Sequence, residues 1–294
     1  MLKVRKAVIP VAGLGTRVLP ASKAIPKEMM TVVDKPVIQY VVEEAVAAGI
    51  KEIILVTRNG KSAIEDHFDS HYELEAELAR KNKTALLATI QHIVPADVSI
   101  VSVRQAEAKG LGHAVHCAAN VVSDEPFVVI LPDVLVHNAT GQVNDLARMI
   151  GEFELNQAAQ IMVGEVPIDK VHLYGIADCN GIMPKSGGST AIKGLVEKPT
   201  QSEAPSNLAV IGRYVLPAQV MGLLAQGKPG AGGEIQLTVA IDELLTEQAV
   251  DAYKMMGTTY DCGEKLGYLM ANIAYGLQHG ETADGLRSFI EALD

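Results

Sequence analysis

Short apolar runs rich in β-branched residues recur along the chain at 7–12, 52–57, 98–103, 127–131, 160–166 and 209–215. Runs of this length and composition read as strands, several of them buried on both faces. Between them, segments 36–48, 62–68, 112–121, 143–155 and 217–226 repeat apolar residues at three- and four-residue spacing, the period of a helix packed on one side. Strand and helix therefore alternate, which predicts a doubly wound α/β domain with a largely parallel sheet. From residue 234 onward the pattern is mostly helical, with one strand expected at 252–256. The stretch 183–190 (MPKSGGST) reads as a surface loop and 227–233 (GKPGAGG) as a turn ahead of a helix. Neither resembles a tether, and no repeat of 20 to 50 residues is seen. The chain is thus expected to form a single domain over 1–294, with 264–294 as a C-terminal helical extension.

Composition narrows the class. A chain of 294 residues can bury roughly 75% of its unfolded surface and needs no covalent staple. Cys117, Cys179 and Cys262 are an odd number without CxxC spacing, which argues against a disulfide framework and for a reducing, cytoplasmic setting. The basic start Lys3-Val4-Arg5-Lys6 precedes an apolar run interrupted by Pro10, so it reads as a strand entrance and not as a secretory signal. No stretch approaches the ~20 apolar residues of a membrane span. A net charge of −10 disfavours nucleic acid or an anionic membrane as partner. The charge is uneven, however. Residues 1–35 hold seven basic side chains against two acidic ones, net +5, which leaves −15 for the rest. Screening over ~8 Å lets such a local excess act on a small, multiply charged anion.

The segment after the first strand is Ala12-Gly13-Leu14-Gly15-Thr16-Arg17. Glycines there let backbone N–H groups approach a phosphate or a base edge. A dinucleotide-binding loop would need a third glycine and an unbroken helix, but Val18 stands at that glycine's place and Pro20 and Pro26 interrupt the helix. The P-loop pattern is also absent. What remains is a glycine loop leading into a proline-kinked segment that carries Arg17, Lys23 and Lys27, a combination suited to neutralising a triphosphate and its departing pyrophosphate.

The blocks AVIPVAGLGTR (7–17), SKAIPKEM (22–29) and VDKP (33–36) are followed by GLGHA (110–114), LPD (131–133), Tyr174-Gly175, VEKP (196–199), EIQLT (234–238) and YDCG (260–263). In this order they closely resemble the sugar nucleotidyltransferases, and most of all the bacterial UTP:glucose-1-phosphate uridylyltransferases (UDP-glucose pyrophosphorylases). The resemblance spans nearly the whole chain. It implies a Rossmann-like mixed sheet flanked by helices, of the nucleotide-diphospho-sugar transferase type, with a helical C-terminal segment. It also implies Mg²⁺-dependent transfer of a uridylyl group from UTP to glucose 1-phosphate, and a homo-oligomer, dimer or tetramer, with no nucleic-acid or membrane partner.

Site residues follow position by position. Asp133 comes straight after an apolar strand, at the edge where α/β sheets place ligands, and its carboxylate suits Mg²⁺; from the residues alone it could equally cap a turn. By resemblance Asp261 is the second metal aspartate, although a turn role ahead of Gly263 is open. Ala12, Gly13, Gly15, Gln105 and Gly110 match nucleotide-binding positions, and Gly175 and Glu197 match sugar-binding ones. Arg17, Lys27 and Lys198 match the cations that act on the phosphates. In isolation Glu197-Lys198 could be a surface ion pair and Gln105 an exposed polar residue. His113, Cys117 and Cys262 lack zinc-ligand spacing and read as packing residues. Three departures from the family pattern stand out: Thr31 where proline is expected, Val134 where many relatives carry an aspartate next to Asp133, and Gly187-Gly188 in a variable loop. Open alternatives are a sister transferase using another nucleotide or hexose phosphate, and a noncatalytic sugar-nucleotide-binding subunit.

Overall fold

The computed structural model describes residues 3–139 and 141–293. The first half is built from β1 (Lys6–Pro10), β2 (Thr31–Val32), β3 (Lys35–Pro36), α1 (Val37–Ala47), β4 (Glu52–Thr57), α2 (Ser62–Phe68), α3 (Tyr72–Arg80), α4 (Thr84–Gln91), β5 (Ser99–Arg104), α5 (Leu111–His116), α6 (Ala119–Val122) and β6 (Phe127–Ile130). The second half adds β7 (Val134–His137), α7 (Asp145–Asn156), β8 (Ala159–Glu165), β9 (Gly175–Asp178), β10 (Ser189–Ala191), β11 (Gly194–Glu197), β12 (Leu208–Leu216), α8 (Gln219–Ala225), α9 (Leu237–Leu244), β13 (Val250–Lys254), β14 (Thr258–Asp261), α10 (Lys265–Gly276) and α11 (Ala283–Glu291).

The main sheet runs in the order β10-β13-β8-β12-β6-β1-β4-β5, and β9, carrying β11 on its far side, also pairs with β12. Strand β1 is parallel to both β4 and β6, and β4 to β5, as the alternation of strand and helix requires. The expectation of a largely parallel sheet needs correction beyond that point. Strand β12 is antiparallel to both β6 and β8, and the sheet is mixed. The reason lies in the connection. From the end of β8 the chain makes an excursion through β9, β10 and β11 without a crossover helix on the sheet. It therefore re-enters beside the end it left, with Leu208 opposite Glu165. The 183–190 stretch is likewise not all loop, since Ser189–Ala191 pairs with β13.

Successive side chains of the central strands enter opposite layers, the period-two rule of the pleat. Val8, Ile54, Phe127 and Val129 pack with α5, α8 and α9 through Val115, Val220, Leu224 and Ile241. Ala7, Ile9, Ile53, Leu55, Val128 and Ile130 pack with α1 and α7 through Val41, Val42, Met149 and Phe153. Burial on both faces is why these strands read as continuous apolar runs. Helix α10 docks on the small β2–β3 hairpin: the Tyr268 hydroxyl donates to the Thr31 carbonyl at 2.6 Å and the Val33 N–H donates to Asn272 Oδ1 at 3.1 Å. No helix among the described residues is long and apolar enough to cross a membrane.

Phe127 is fully buried at the start of the inner strand β6, paired with both β1 and β12. Phe127→Ala should lower unfolding free energy by about 3–5 kcal/mol, read from urea denaturation.

Candidate active site

The chain leaves β1 into the glycine segment and folds back at once. Gly15 takes φ +69°, and a Cβ on it would stand 3.1 Å from Ser22 Cβ and 3.3 Å from Lys27 Cβ. The Ser22 hydroxyl donates to the Gly15 carbonyl at 2.7 Å. Three single 3-10 turns, Thr16–Val18, Ala21–Lys23 and Lys27–Met29, replace the helix that the two prolines forbid. The fold-back sets Arg17 and Lys27 over the end of β6.

There they meet two carboxylates. Lys27 Nζ donates to Asp133 Oδ2. Arg17 Nη2 donates to the same oxygen at 3.2 Å, and its Nη1 to Asp261 Oδ2 at 3.0 Å. Strand β14 runs antiparallel to β7 with Asp261 opposite Val134, and the Cys262 N–H donates to the Asp133 carbonyl at 2.7 Å. Gly263 completes the corner. Its N–H donates to Asp261 Oδ1 at 2.8 Å, and a Cβ there would lie 2.6 Å from Asp133 Oδ2, 2.8 Å from Asp261 Oδ1 and 2.5 Å from Arg17 Nη2. A side chain at 263 would have to displace these charged groups, and both carboxylates face one small volume.

Electrostatics follow from this packing. Burial by itself would push the Asp133 carboxyl up, but Lys27 and then Arg17 override it and hold the carboxyl below its ordinary value. The Cys262 thiol is pushed up to about 12 by burial and by Asp261 and Asp133, so it stays protonated and inert. Beneath Lys27, Glu28 and Lys61 form a buried pair at 2.7 Å. Burial raises the Glu28 carboxyl despite that partner.

Two cavities meet at Asp133 and Leu131. One, of about 430 Å³, is lined by Ala12, Gly13, Gly15, Gln105 and Gly110 together with Asp133. Gln105 is held in place by its N–H on the Thr57 carbonyl at 2.8 Å, and its side-chain amide donates to the Gly110 carbonyl at 3.2 Å. The same amide approaches His113 Nδ1 at 3.0 Å, which gives that histidine a role beyond packing. Gly110 adopts φ +106°, and a Cβ on it would stand 2.6 Å from the Ile235 carbonyl. The other cavity, about 580 Å³, is lined by Arg17, Asp133, Tyr174, Val210, Lys254 and Asp261.

Glu197 and Gly175 sit opposite each other where β11 pairs with β9, and Glu197 Oε2 accepts from the Thr238 hydroxyl at 3.0 Å. Lys198 follows with φ +48°; its N–H donates to the Tyr174 carbonyl at 2.9 Å, and its half-exposed ammonium lies 3.5 Å from Glu197 Oε1. The structure thus brings Arg17, Lys27, Asp133 and Asp261 into one cluster and gathers Ala12, Gly13, Gly15, Gln105 and Gly110 around the smaller cavity. It leaves Gly175, Glu197 and Lys198 in a separate group joined to the larger cavity through Tyr174. Tyr174 and Thr238 lay inside blocks visible in the sequence without a role of their own. Gly263 was signalled only by its place after Asp261.

Which residues could hold a divalent cation is restricted. Among the described residues no group of three or more His, Cys, Asp or Glu side chains converges, and Asp133 and Asp261, which share Arg17, are the candidate pair. Two carboxylates are what Mg²⁺ commonly takes beside phosphate oxygens and water, and the volume that Gly263 keeps open lies against both.

A glycine loop at the first strand's end, a mixed sheet and a charged cluster between two cavities suit a nucleotide-using transferase. The chain matches the nucleotidyl transferase family over residues 6–276 and belongs to that family. It is 53% identical over 290 residues to a UTP–glucose-1-phosphate uridylyltransferase of Haemophilus influenzae, covering 98% of each chain. It is 53% identical over 291 residues to the Escherichia coli protein of the same name, covering 98% of this chain and 96% of that one. Among solved structures, a UTP-bound UDP-glucose pyrophosphorylase from Acinetobacter baumannii is similar with TM-score 0.93 and 54% identity, over 99% of this chain and 100% of that one. A UDP-glucose pyrophosphorylase complexed with UDP-glucose is similar with TM-score 0.84 and 39% identity, over 94% and 100%.

The depressed Asp133 carboxyl makes a pH prediction. A carboxylate whose folded value lies below its unfolded one stabilises the fold fully above about pH 4 and loses that contribution as pH falls through the folded value. Urea unfolding of wild type and Asp133→Asn should therefore show a stability difference that is constant from pH 7 to 5 and shifts against the wild type below about pH 4.

Proposed function

We propose that this chain transfers the uridylyl group of UTP to glucose 1-phosphate, giving UDP-glucose and pyrophosphate. The observation that carries the reading is the charged cluster of Arg17, Lys27, Asp133 and Asp261 at the junction of two cavities. The names of the similar proteins, and the UTP and UDP-glucose bound in two solved structures, support the substrates.

In this reading the uracil and ribose occupy the cavity lined by Ala12, Gly13, Gly15, Gln105 and Gly110. The glucose lies toward Tyr174, with Gly175 and Glu197 contacting its hydroxyls and Lys198 its phosphate. A phosphate oxygen of glucose 1-phosphate attacks the α-phosphorus in line. The bond from that phosphorus to the oxygen bridging the β-phosphate breaks, and pyrophosphate leaves with the electron pair. No side-chain base is needed, because the attacking phosphate is already ionised at neutral pH. Arg17 and Lys27 neutralise the departing β- and γ-phosphates, so catalysis consists of positioning and charge compensation. Asp133 and Asp261 would hold Mg²⁺, which when bound would supply positive charge to offset that of the phosphates. To meet the nucleotide, Arg17 and Lys27 would exchange the aspartates they now face for its phosphates.

The chain would work as one catalytic domain with 264–294 as its helical extension, in the cytoplasm, supplying sugar nucleotide to carbohydrate and polysaccharide synthesis. The exposed stripe Leu266, Leu269, Met270 and Ile273 on α10 supports a homo-oligomer.

Pyrophosphate release from UTP plus glucose 1-phosphate tests the reading, run against dTTP, CTP and galactose 1-phosphate and with EDTA. Rapid, EDTA-sensitive release that favours UTP and glucose 1-phosphate is expected; preference for another pair would assign a sister specificity. Release with no pair, despite UDP-glucose binding, would make the chain a noncatalytic binder. Arg17→Ala and Lys27→Ala should each lower kcat/KM by roughly 10²–10³-fold, and activity within about threefold of wild type would remove those assignments.

A further inference from the structure

We propose that Arg213 is a positioning residue for Asp133: its guanidinium, seated by a bulge in β12, grips the backbone on both sides of Asp133 and fixes where that carboxylate stands. The proposal rests on the reading of Asp133 as part of the catalytic cluster.

Arg213 is fully buried in a strand that is otherwise apolar (LAVIGRYVL). A guanidinium carries five N–H donors and accepts nothing, so each donor in a core needs an oxygen. Nε and Nη2 donate to the two carboxylate oxygens of Glu44 on α1, at 3.0 and 2.7 Å. Nη1 donates to the Leu131 carbonyl at 3.1 Å, and Nη2 also donates to the Val134 carbonyl at 2.7 Å. Those two carbonyls bracket Pro132-Asp133. The Asp133 carbonyl itself is taken by the Cys262 N–H. The segment that presents the carboxylate is thereby tied to β12 at two points and to the turn after β14 at a third.

The backbone of β12 is shaped for this grip. Its register against β8 shifts between Val210 and Tyr214, and inside the shift Gly212 takes φ +80°. A Cβ on Gly212 would stand 2.7 Å from the Leu131 side chain, while its carbonyl accepts the Leu131 N–H at 2.9 Å. Bulges beside active sites re-aim side chains, and this one delivers Arg213 to the turn that follows β6. Stability alone does not account for the arrangement, since an apolar pair of similar volume often replaces a buried ion pair without loss. A planar fork that serves a carboxylate and two carbonyls together supplies geometry, which a lysine ammonium cannot copy. Geometry is what the cluster needs, because a shift of 1 Å can cost ~10²-fold in rate.

The test compares wild type with Arg213→Lys, which keeps a positive charge beside Glu44 but loses the fork. Amide hydrogen exchange is followed at residues 127–137 and 258–263, and kcat and KM are measured for UTP and glucose 1-phosphate. The expected result is exchange at least tenfold faster in those segments and kcat at least tenfold lower, with both KM values within threefold of wild type. Unchanged exchange overturns the grip, and faster exchange with kcat within threefold makes Arg213 a structural tie only; either result sinks the proposal. If Arg213→Lys does not fold, the neutral pair Glu44→Gln/Arg213→Gln undergoes the same two measurements with the same criteria. A wild type that releases no pyrophosphate would overturn the functional reading, and the exchange arm would still decide the grip.

Discussion

A carboxylate at Asp133, almost shut off from water, is tolerable only because Lys27 and Arg17 lie against it from a segment 106 and 116 residues away in sequence. Much of the architecture serves that contact. The glycine loop folds back on Ser22 and Lys27 so that both cations reach the end of β6. Prolines keep the segment in short turns, because a continuous helix would carry Lys27 away from the sheet. The β7–β14 pair brings Asp261 to share Arg17, and Gly263 leaves the corner open. A cation lost here would leave a buried anion without compensation, the situation that makes broken buried pairs expensive.

The same contact explains how an acidic protein can serve an acidic substrate. Overall charge is −10, but the N-terminal segment is cationic and part of that excess is aimed at the site. Only part is. Lys6 is buried at the opposite end of β1, where it pairs with Glu125 at 2.7 Å and donates to the Val121 carbonyl at 2.9 Å. Lys35 pairs with Glu43 at 2.9 Å. Composition located the cationic segment, whereas the fold selects which of its charges meet a ligand.

The parallel half of the sheet was legible because β1, β4 and β6 are buried on both faces and leave unbroken apolar runs. Strands β7, β9, β11 and β14 were not, since each is four residues long and carries half-exposed positions, too short for a period to register. Helices α3 and α4 were not read either: they bury no residue in the core. The direction of β12 depended on the absence of a crossover after β8, a property of the connection and not of the strand. Resemblance of motifs, together with the strand-end position of Asp133, pointed to the charged cluster before any geometry was known. Arg213 went unnoticed although its signal was present: a lone arginine beside a glycine in an apolar run must find buried oxygens. What no single-chain pattern could supply was which oxygens those are.

In the proposed reaction Arg17 and Lys27 exchange partners, leaving the aspartates for the phosphates of UTP. A crystal structure with α,β-methylene-UTP and Mg²⁺ would measure it directly. The predicted result is both cations within hydrogen-bond distance of β- or γ-phosphate oxygens, and the ion on Asp133. Both cations still on Asp133 and Asp261, with the triphosphate held by other residues, would contradict it.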